Sequence, residues 1–518
     1  MKKKQIKKIS TKTVDLVKPN RDVNHRSPLI KKILFSLSVV AVVFSVSMYS
    51  LKNNKQFEEM GGMAEEYLIL GVNMYYSGNF YLNDTSKTPF VFRPPGYVKF
   101  LDLVMKSWGG MNPKDYQYHS REEFDNARSK ALNTIYFSQC LLLSFSTLVL
   151  LLLLLEFLNL FLASAIALMF GINPYLIALI GMVHYETLHI FMMLISTYFL
   201  YLAFARKKLI YVSLLLAGVL WGLTTLVRPV SLIMPALFLL MLLLYYKKNL
   251  KKSLLYLLVF TIPFAATIAP YTYRNYKLVN RFIPINAQTY IALWAGSNTG
   301  LDLDANHYRW WQIWYPDGQN AYEKITQSKD FTTTLYADHV LELEDYFKTK
   351  FKENLSKKPM TYIGNVCKNF ILLNFGINSV YIKMFQYKQH YNTEINKDWL
   401  QSDNPQDFYP SGASKAFAFL IFIMSLMSIA GIILSLKVGD KLIYIPLMVF
   451  LTIAISHSIT YMDLMYYYVR IPFLFIFTAF FIKQIGSLVN KTKVAMYQKG
   501  ITISLAVFMF LLTLAVIA

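Results

Sequence analysis

The sequence predicts an all-α polytopic membrane protein with about eleven transmembrane helices and two soluble loops on the outer side. Three observations predict it. The 518 residues are 55% hydrophobic and only 16% charged, too few charges to cover a soluble protein of this size. The apolar residues gather into long runs, and about 20 such residues cross about 30 Å of hydrocarbon. The basic residues, which give a net charge of +22, fall between those runs and not on the polar faces that a nucleic-acid binder uses.

In chain order the apolar runs cover 33–51, 131–155, 158–180, 188–205, 209–227, 229–246, 254–271, 416–436, 442–457, 464–482 and 501–518. No cleavage site of small residues follows the first run, and Lys52 and Lys55 come directly after it, so it reads as a retained signal anchor. The basic segment 1–32 then stays in the cytoplasm. Alternating from there puts Arg206, Lys207 and Lys208, then Lys247, Lys248, Lys251 and Lys252, then Lys437 and Lys441, then Lys483, Lys491, Lys493 and Lys499 on the same side. That side collects 24 of the 52 basic residues and four of the 30 acids, hence +20 of the +22, as the positive-inside rule requires. The chain divides into the basic segment 1–32, a transmembrane core 33–271 that includes a first outer loop 52–130, a large outer loop 272–414, and C-terminal spans in 415–518. The expected location is the inner or plasma membrane, with both large loops outside.

Cys140 and Cys367 cannot form a disulfide framework or a thiolate metal site. No repeat of fixed period and no similarity between halves, of the kind that marks many transporters, is present. The longer outer loop holds Trp294, Trp310, Trp311, Trp314 and Tyr315, which suit sugar stacking and equally suit a small loop core or an interfacial belt. Residues 350–382 alternate Lys with aromatic and aliphatic residues and read as an amphipathic helix lying on the outer surface.

Ionisable residues near spans are expensive and usually functional. Here they cluster at the outer ends: Glu65, Glu66 and Arg93 in the first loop, His184, Glu186 and His189 at the fourth span, Arg228 between the fifth and sixth, Arg274 after the seventh, and His457, Asp463 and Arg470 about the ninth-to-tenth turn. The inner ends show snorkelling Lys and Arg and one Glu156. Acids mixed with cations at the outer face point to an anionic, membrane-borne molecule, the bland alternative being interfacial decoration. Arg93-Pro94-Pro95-Gly96-Tyr97 is the most constrained short segment, because two prolines fix φ and Gly permits a close turn. An always-charged fork on such a corner suits a phosphate. His184-Tyr185-Glu186-Thr187-Leu188-His189 lacks a downstream Cys pair and has its histidines five apart, so neither zinc motif holds, and Glu186 reads as a helix-dipole partner or a substrate contact. Gly-rich phosphate loops and a nucleophile elbow are absent, which disfavours a nucleotide-sugar or ATP user at the inner face.

These stretches, in order, resemble the GT-C membrane glycosyltransferases, in the branch of the protein O-mannosyltransferases and the lipid A aminoarabinose transferase (glycosyltransferase family 39-like). The likeness runs through Glu65-Glu66-Tyr67, Ser77-Gly78-Asn79-Phe80 and the Arg93 segment; through Asn173-Pro174, Glu186-Thr187, Gly218-Val219-Leu220-Trp221-Gly222 and Arg228-Pro229; through Ala269-Pro270-Tyr271, Arg274-Asn275-Tyr276, Pro284 and Trp294-Ala295-Gly296-Ser297-Asn298; and through Tyr468-Val469-Arg470-Ile471-Pro472. The resemblance implies transfer of a sugar, with inversion, from a polyprenyl-phosphate carrier to a glycolipid, glycan or protein acceptor on the outer side. An acceptor hydroxyl needs a carboxylate base, and the lipid phosphate needs cations. Glu65 and Glu66 are the catalytic candidates. Arg93, Tyr97, Glu186, Arg228, Arg274, Asn275, Tyr468 and Arg470 are candidates for binding substrate or phosphate. No cofactor is expected, and a divalent metal is not indicated.

The chain departs from the family where an Asp is usual, four residues before Tyr67: that position is Met63. Glu59 is expected to share the helical face of Met63, whereas Glu65 and Glu66 are not. A polysaccharide polymerase or ligase acting on lipid-linked glycans is the second enzymatic reading. A lipid or glycan transporter is a third, which would require mid-span charges and an internal repeat.

Overall fold

The computed structural model describes residues 29–53, 63–81, 90–109, 121–206, 209–247, 249–297, 319–328, 337–375, 412–460 and 468–488. Among them every regular element is helical. The helices are α1 Leu29–Asn53, α2 Met63–Ser77, α3 Pro95–Val104, α4 Arg121–Leu154, α5 Leu160–Gly171, α6 Pro174–Ile180, α7 Glu186–Ala205, α8 Ile210–Val227, α9 Met234–Tyr245, α10 Leu250–Val279, α11 Thr289–Ser297, α12 Gln319–Thr326, α13 Val340–Lys357, α14 Pro359–Phe375, α15 Gly412–Val438, α16 Tyr444–Ser458 and α17 Ile471–Leu488. Among the described residues six helical stretches are long and apolar enough to cross a membrane: Leu29–Lys52, Ser129–Leu154, Glu186–Ala205, Ile210–Val227, Leu250–Val279 and Lys441–Ser458. Shorter apolar helices accompany them. The chain is a multi-pass membrane protein.

Over the described residues ten of the eleven expected spans coincide wholly or largely with helix; 464–467, at the start of the tenth, and the eleventh, 501–518, lie outside the described residues. Two spans differ from expectation in form. The third is broken into α5 and α6 at Asn173-Pro174, where the Asn173 side chain accepts from the Tyr175 N–H and Pro174 opens the new helix. The seventh continues past Tyr271 to Val279, where Asn280 ends it in the left-handed region at φ 51°. At 1.5 Å per residue the 30 residues of α10 extend about 45 Å, longer than the hydrocarbon, so its last turns project beyond it. The amphipathic helix expected over 350–382 is also two elements. Pro359 cannot continue α13, so α14 starts afresh there; residues 376–382 lie outside the described residues.

In the bundle α4 packs on α1 and α7, α7 on α8, and α8 on α10. The α8–α10 crossing is close because Gly218 and Gly222 face the α10 backbone: a Cβ on Gly222 would sit 2.6 Å from Thr267 Cβ and 3.0 Å from the Phe264 carbonyl oxygen. α17 packs against α15 and α5, and α16 against α9. One apolar core fills this bundle; a second, built on Tyr67, Phe80, Phe92, Tyr97, Trp294 and Phe347, fills the end where α2, α3, α11 and α13 assemble. This is the loop-bearing end.

At the opposite end the charged loop residues gather. Arg206 pairs with Glu156 at 2.5 Å, Lys483 with Asp440 at 2.5 Å, and Lys441 donates to the Tyr245 carbonyl at 2.8 Å. Lys207, Lys208, Lys248, Lys491, Lys493, Lys499 and the segment 1–28 lie outside the described residues.

Candidate active site

Arg93 stands just before α3, with Pro94 extended (φ −63°, ψ 144°) and Pro95 opening the helix. Gly96 lets that corner sit on the C-terminus of α8: a Cβ there would lie 2.6 Å from the Val227 nitrogen and 2.7 Å from the Leu226 carbonyl carbon. The constrained corner thereby aims the guanidinium at α2. Nε and Nη2 of Arg93 both donate to Oε2 of Glu66, at 2.8 and 2.5 Å. The two side chains are 10% and 12% exposed. Phe92 lies 4.3 Å under the guanidinium and Tyr67 5.9 Å from it, so the cation is held by rings as well as by the carboxylate. Among the described residues, Oε1 of Glu66 takes no hydrogen bond.

Tyr67 connects this pair to a second one. Its buried ring meets Tyr97 at 5.3 Å, Tyr185 at 5.6 Å and His184 at 6.3 Å, all edge-on. Burial pushes its hydroxyl well above the usual tyrosine range, so it stays protonated. Beyond it, Glu186, the first residue of α7, is fully buried. Its Oε1 lies 3.3 Å from Arg228 Nη1 and its Oε2 contacts His184 Nδ1. Burial, then Arg228 and Arg93, hold the His184 imidazole far below its ordinary value, at about 3. Arg228 also lies over the Tyr185 ring at 5.1 Å. Deeper in, His457 lies among Arg228, Arg470 and His189, with Arg470 Nη2 3.5 Å from its Nδ1. The result is a continuous buried polar chain across α2, α3, α7, α8, α16 and the turn before α17.

Arg274 stands apart, on the projecting turns of α10. Its Nη1 donates to the Phe90 carbonyl (3.2 Å) and to Asn275 Oδ1 (3.0 Å), with the Tyr271 hydroxyl 3.4 Å away. It lies over the rings of Phe80 and Tyr271 at 5.5 and 5.1 Å. All of these partners are neutral. Among the described residues its Nε and Nη2 make no hydrogen bond, which leaves a half-buried cation able to receive an anion.

The structure thus brings together Glu66, Arg93, Tyr97, Glu186, Arg228 and Arg470, and sets Arg274 beside the 90–93 segment that carries Arg93. Asn275 is buried and donates both amide hydrogens to the Ile283 and Ile285 carbonyls, so it holds the turn after α10. Tyr97 is fully buried against Tyr67 and Phe100, and Tyr468 is buried in the bundle core. For Glu65 and Met63 only the place in α2 is described; Glu59 and Asp463 lie outside the described residues. One helical argument needs correction. Because α2 starts at Met63, Glu66 is three residues on, which is neighbour spacing, so Glu66 does share the face of position 63. The rings of Tyr67 and Tyr185 and the imidazoles of His184 and His457 complete the cluster; the sequence marked the two histidines as outer-end ionisable residues but not their partners, because the ring contacts of Tyr67 with His184 and Tyr185 span 117 and 118 residues of chain. Trp294 is core: it is buried 4.5 Å from Phe347. Trp310, Trp311, Trp314 and Tyr315 lie outside the described residues. Among the described residues no group of three or more His, Cys, Asp or Glu could hold a metal ion.

Acids and arginines thus converge at one end of a helical membrane bundle, and comparison with solved structures identifies the fold of that bundle. The chain has the GT-C fold. It is similar to the oligosaccharyltransferase of Archaeoglobus fulgidus in its complex with Zn and sulfate (13% identity, TM-score 0.50, covering 92% of this chain and 52% of that one). It is similar also to the oligosaccharyltransferase AglB of Archaeoglobus fulgidus bound to an inhibitory peptide and a dolichol-phosphate (12% identity, TM-score 0.52, 94% and 55%). ArnT of Cupriavidus metallidurans bound to undecaprenyl phosphate aligns at 12% identity and a TM-score of 0.36, over 87% and 78%. The chain spans about half the length of the oligosaccharyltransferases it resembles. No protein-family model and no curated sequence relative matches it.

Proposed function

We propose that the protein is an inverting glycosyltransferase that moves a sugar from a polyprenyl-phosphate carrier to an acceptor on the outer face of the membrane. The observation that carries this reading is the Glu66–Arg93 pair, buried yet open by about a tenth, at the loop-bearing end of a GT-C bundle. Glu66 is the base. Arg93 holds one carboxylate oxygen and the other is left to take the proton of an acceptor hydroxyl, whereas Glu186 is fully enclosed with both oxygens engaged. Arg274 binds the carrier phosphate, which leaves without needing a proton. The enclosed Glu186–Arg228–His184 group positions Tyr67 and, through it, Arg93. The cationic role falls to arginines, and the reading requires no metal. A dolichol-phosphate on a neighbour of the same fold supports the donor class. The gathering of basic loops opposite the site supports a cytoplasmic N-terminus with the site outside, and the absence of an internal repeat and the placing of the acids at helix ends favour an enzyme over a transporter.

The test is transfer of labelled sugar from a polyprenyl-phosphate donor by purified protein in nanodiscs, with and without chelator. Glu66→Gln should lose about 100-fold or more in turnover, and Arg274→Ala should raise the KM for the donor. Undiminished transfer in both variants overturns the residue roles; no transfer from any lipid-linked donor overturns the function. A tag near Asp317 should be external and one after Ala205 cytoplasmic, and the reverse would invert the orientation.

A further inference from the structure

α14 is amphipathic in the reverse of the usual sense. Its polar side chains face the protein: the Tyr362 hydroxyl donates to the Ile459 carbonyl at 2.8 Å, Asn365 to the Gly296 carbonyl at 3.2 Å, and Asn369 to the Ser458 and Thr460 carbonyls at 3.2 and 3.0 Å. Four of the orphan carbonyls at and near two helix C-termini are satisfied this way. Gly296 allows the two ends to meet, since a Cβ there would lie 2.5 Å from the Thr460 carbonyl oxygen. The opposite face carries Met360, Ile363 and Ile371, exposed by 73, 50 and 57%, with Cys367 between them. Spacings of three, four and four residues put these on one stripe. Gly364, on the same face, has open space where a Cβ would be.

The depth of this stripe is set by what its other face holds. Ser458 ends α16, the last residue of a stretch long and apolar enough to span the membrane, so a helix lying across that terminus lies at the level where the hydrocarbon gives way to headgroups. Exposed Lys357, Lys358 and Lys368 accompany it, as cations accompany apolar stripes at headgroup depth. The spanning helices likewise expose aliphatic side chains, among them Leu258, Ile262, Leu426 and Ile433.

We propose that α14 is an interfacial helix whose Met360–Ile363–Cys367–Ile371 stripe is buried in the headgroup region of the bilayer, while its inner face clamps the helix end next to His457. This proposal stands independently of the sugar-transfer reading, and its test reads no activity.

Cys367 lies in the stripe, and the only other cysteine, Cys140, is buried. In a Cys140→Ala background a fluorophore is attached at Cys367, and the full-length protein is placed in nanodiscs containing phosphatidylglycerol. Quenching is then compared for a lipid doxyl group near the headgroup, a lipid doxyl group near the bilayer centre, and aqueous iodide. The expected order is strongest for the shallow doxyl, weaker for the deep one and weakest for iodide. Dominant quenching by iodide would show a water-exposed face, dominant quenching by the deep doxyl a spanning helix, and quenching by none of them a face covered by protein. Each of these three results overturns the proposal.

Discussion

Replacing Glu66 by Gln tests whether the carboxylate acts in the reaction or only balances Arg93. Gln keeps the shape and an accepting oxygen but removes the charge that two N–H groups of Arg93 address at 2.8 and 2.5 Å. A hydrogen bond to a charged group contributes about 1.5–3 kcal/mol. With both side chains about nine-tenths enclosed, little of that is lost to solvent screening, so Glu66→Gln is expected to destabilise by about 2 kcal/mol. A buried cation without its partner is costly, whereas removing both partners is often neutral, so Glu66→Gln/Arg93→Met should regain most of the melting temperature. Transfer behaves otherwise if Glu66 is the base. Glu66→Gln loses about 100- to 10,000-fold, Arg93→Met loses less because the carboxylate remains, and the double variant stays as slow as Glu66→Gln. The assays are thermal unfolding and initial rates in the same nanodiscs. Equal losses in the two single variants, or recovery of transfer along with stability in the double variant, would refute the base assignment and leave the pair as structure.

Glu344 gives a pH prediction. Its Oε2 accepts from the Tyr290 N–H at 2.7 Å, at the N-terminus of α11, and burial pushes its carboxyl up to about 7 against the backbone N–H groups that favour the anion. The folded state therefore binds the proton more tightly than the unfolded chain. Stability should fall as pH rises from about 4.5 to about 7 and level off above, and Glu344→Gln should flatten that slope in thermal unfolding measured across this range; an unchanged slope argues against Glu344 as its source. Gly96→Ala puts a Cβ 2.6 Å from the Val227 nitrogen, so it should cost about 1–3 kcal/mol and lower transfer by displacing Arg93; wild-type melting and transfer would contradict the packing account. Asn369→Ala removes two hydrogen bonds to the end of α16 from a buried position, and a loss of about 1–3 kcal/mol in thermal unfolding is expected, against no change if the clamp is incidental.

The positions of the apolar helices and the gathering of ionisable residues at helix ends were legible in the chain, because hydrocarbon imposes a length and a polarity on every segment that crosses it. Arg93 and its Pro-Pro-Gly corner were legible too, since that backbone permits few conformations. The partnerships were not. Nothing local pairs Arg93 with Glu66, 27 residues away, rather than with Glu65, or joins Glu186 to Arg228 across 42 residues. The two carbonyls that the Asn275 amide addresses were not legible either, because an Asn looks the same in sequence whether it faces a cavity or a carbonyl. Hydropathy and local backbone restriction are one-dimensional, and they determined the membrane class, the spans and the end where the charges collect. Which carboxylate is enclosed, which arginine keeps donors for an anion, and which face of α14 turns outward depend on contacts between distant segments, and only the packed bundle decided them.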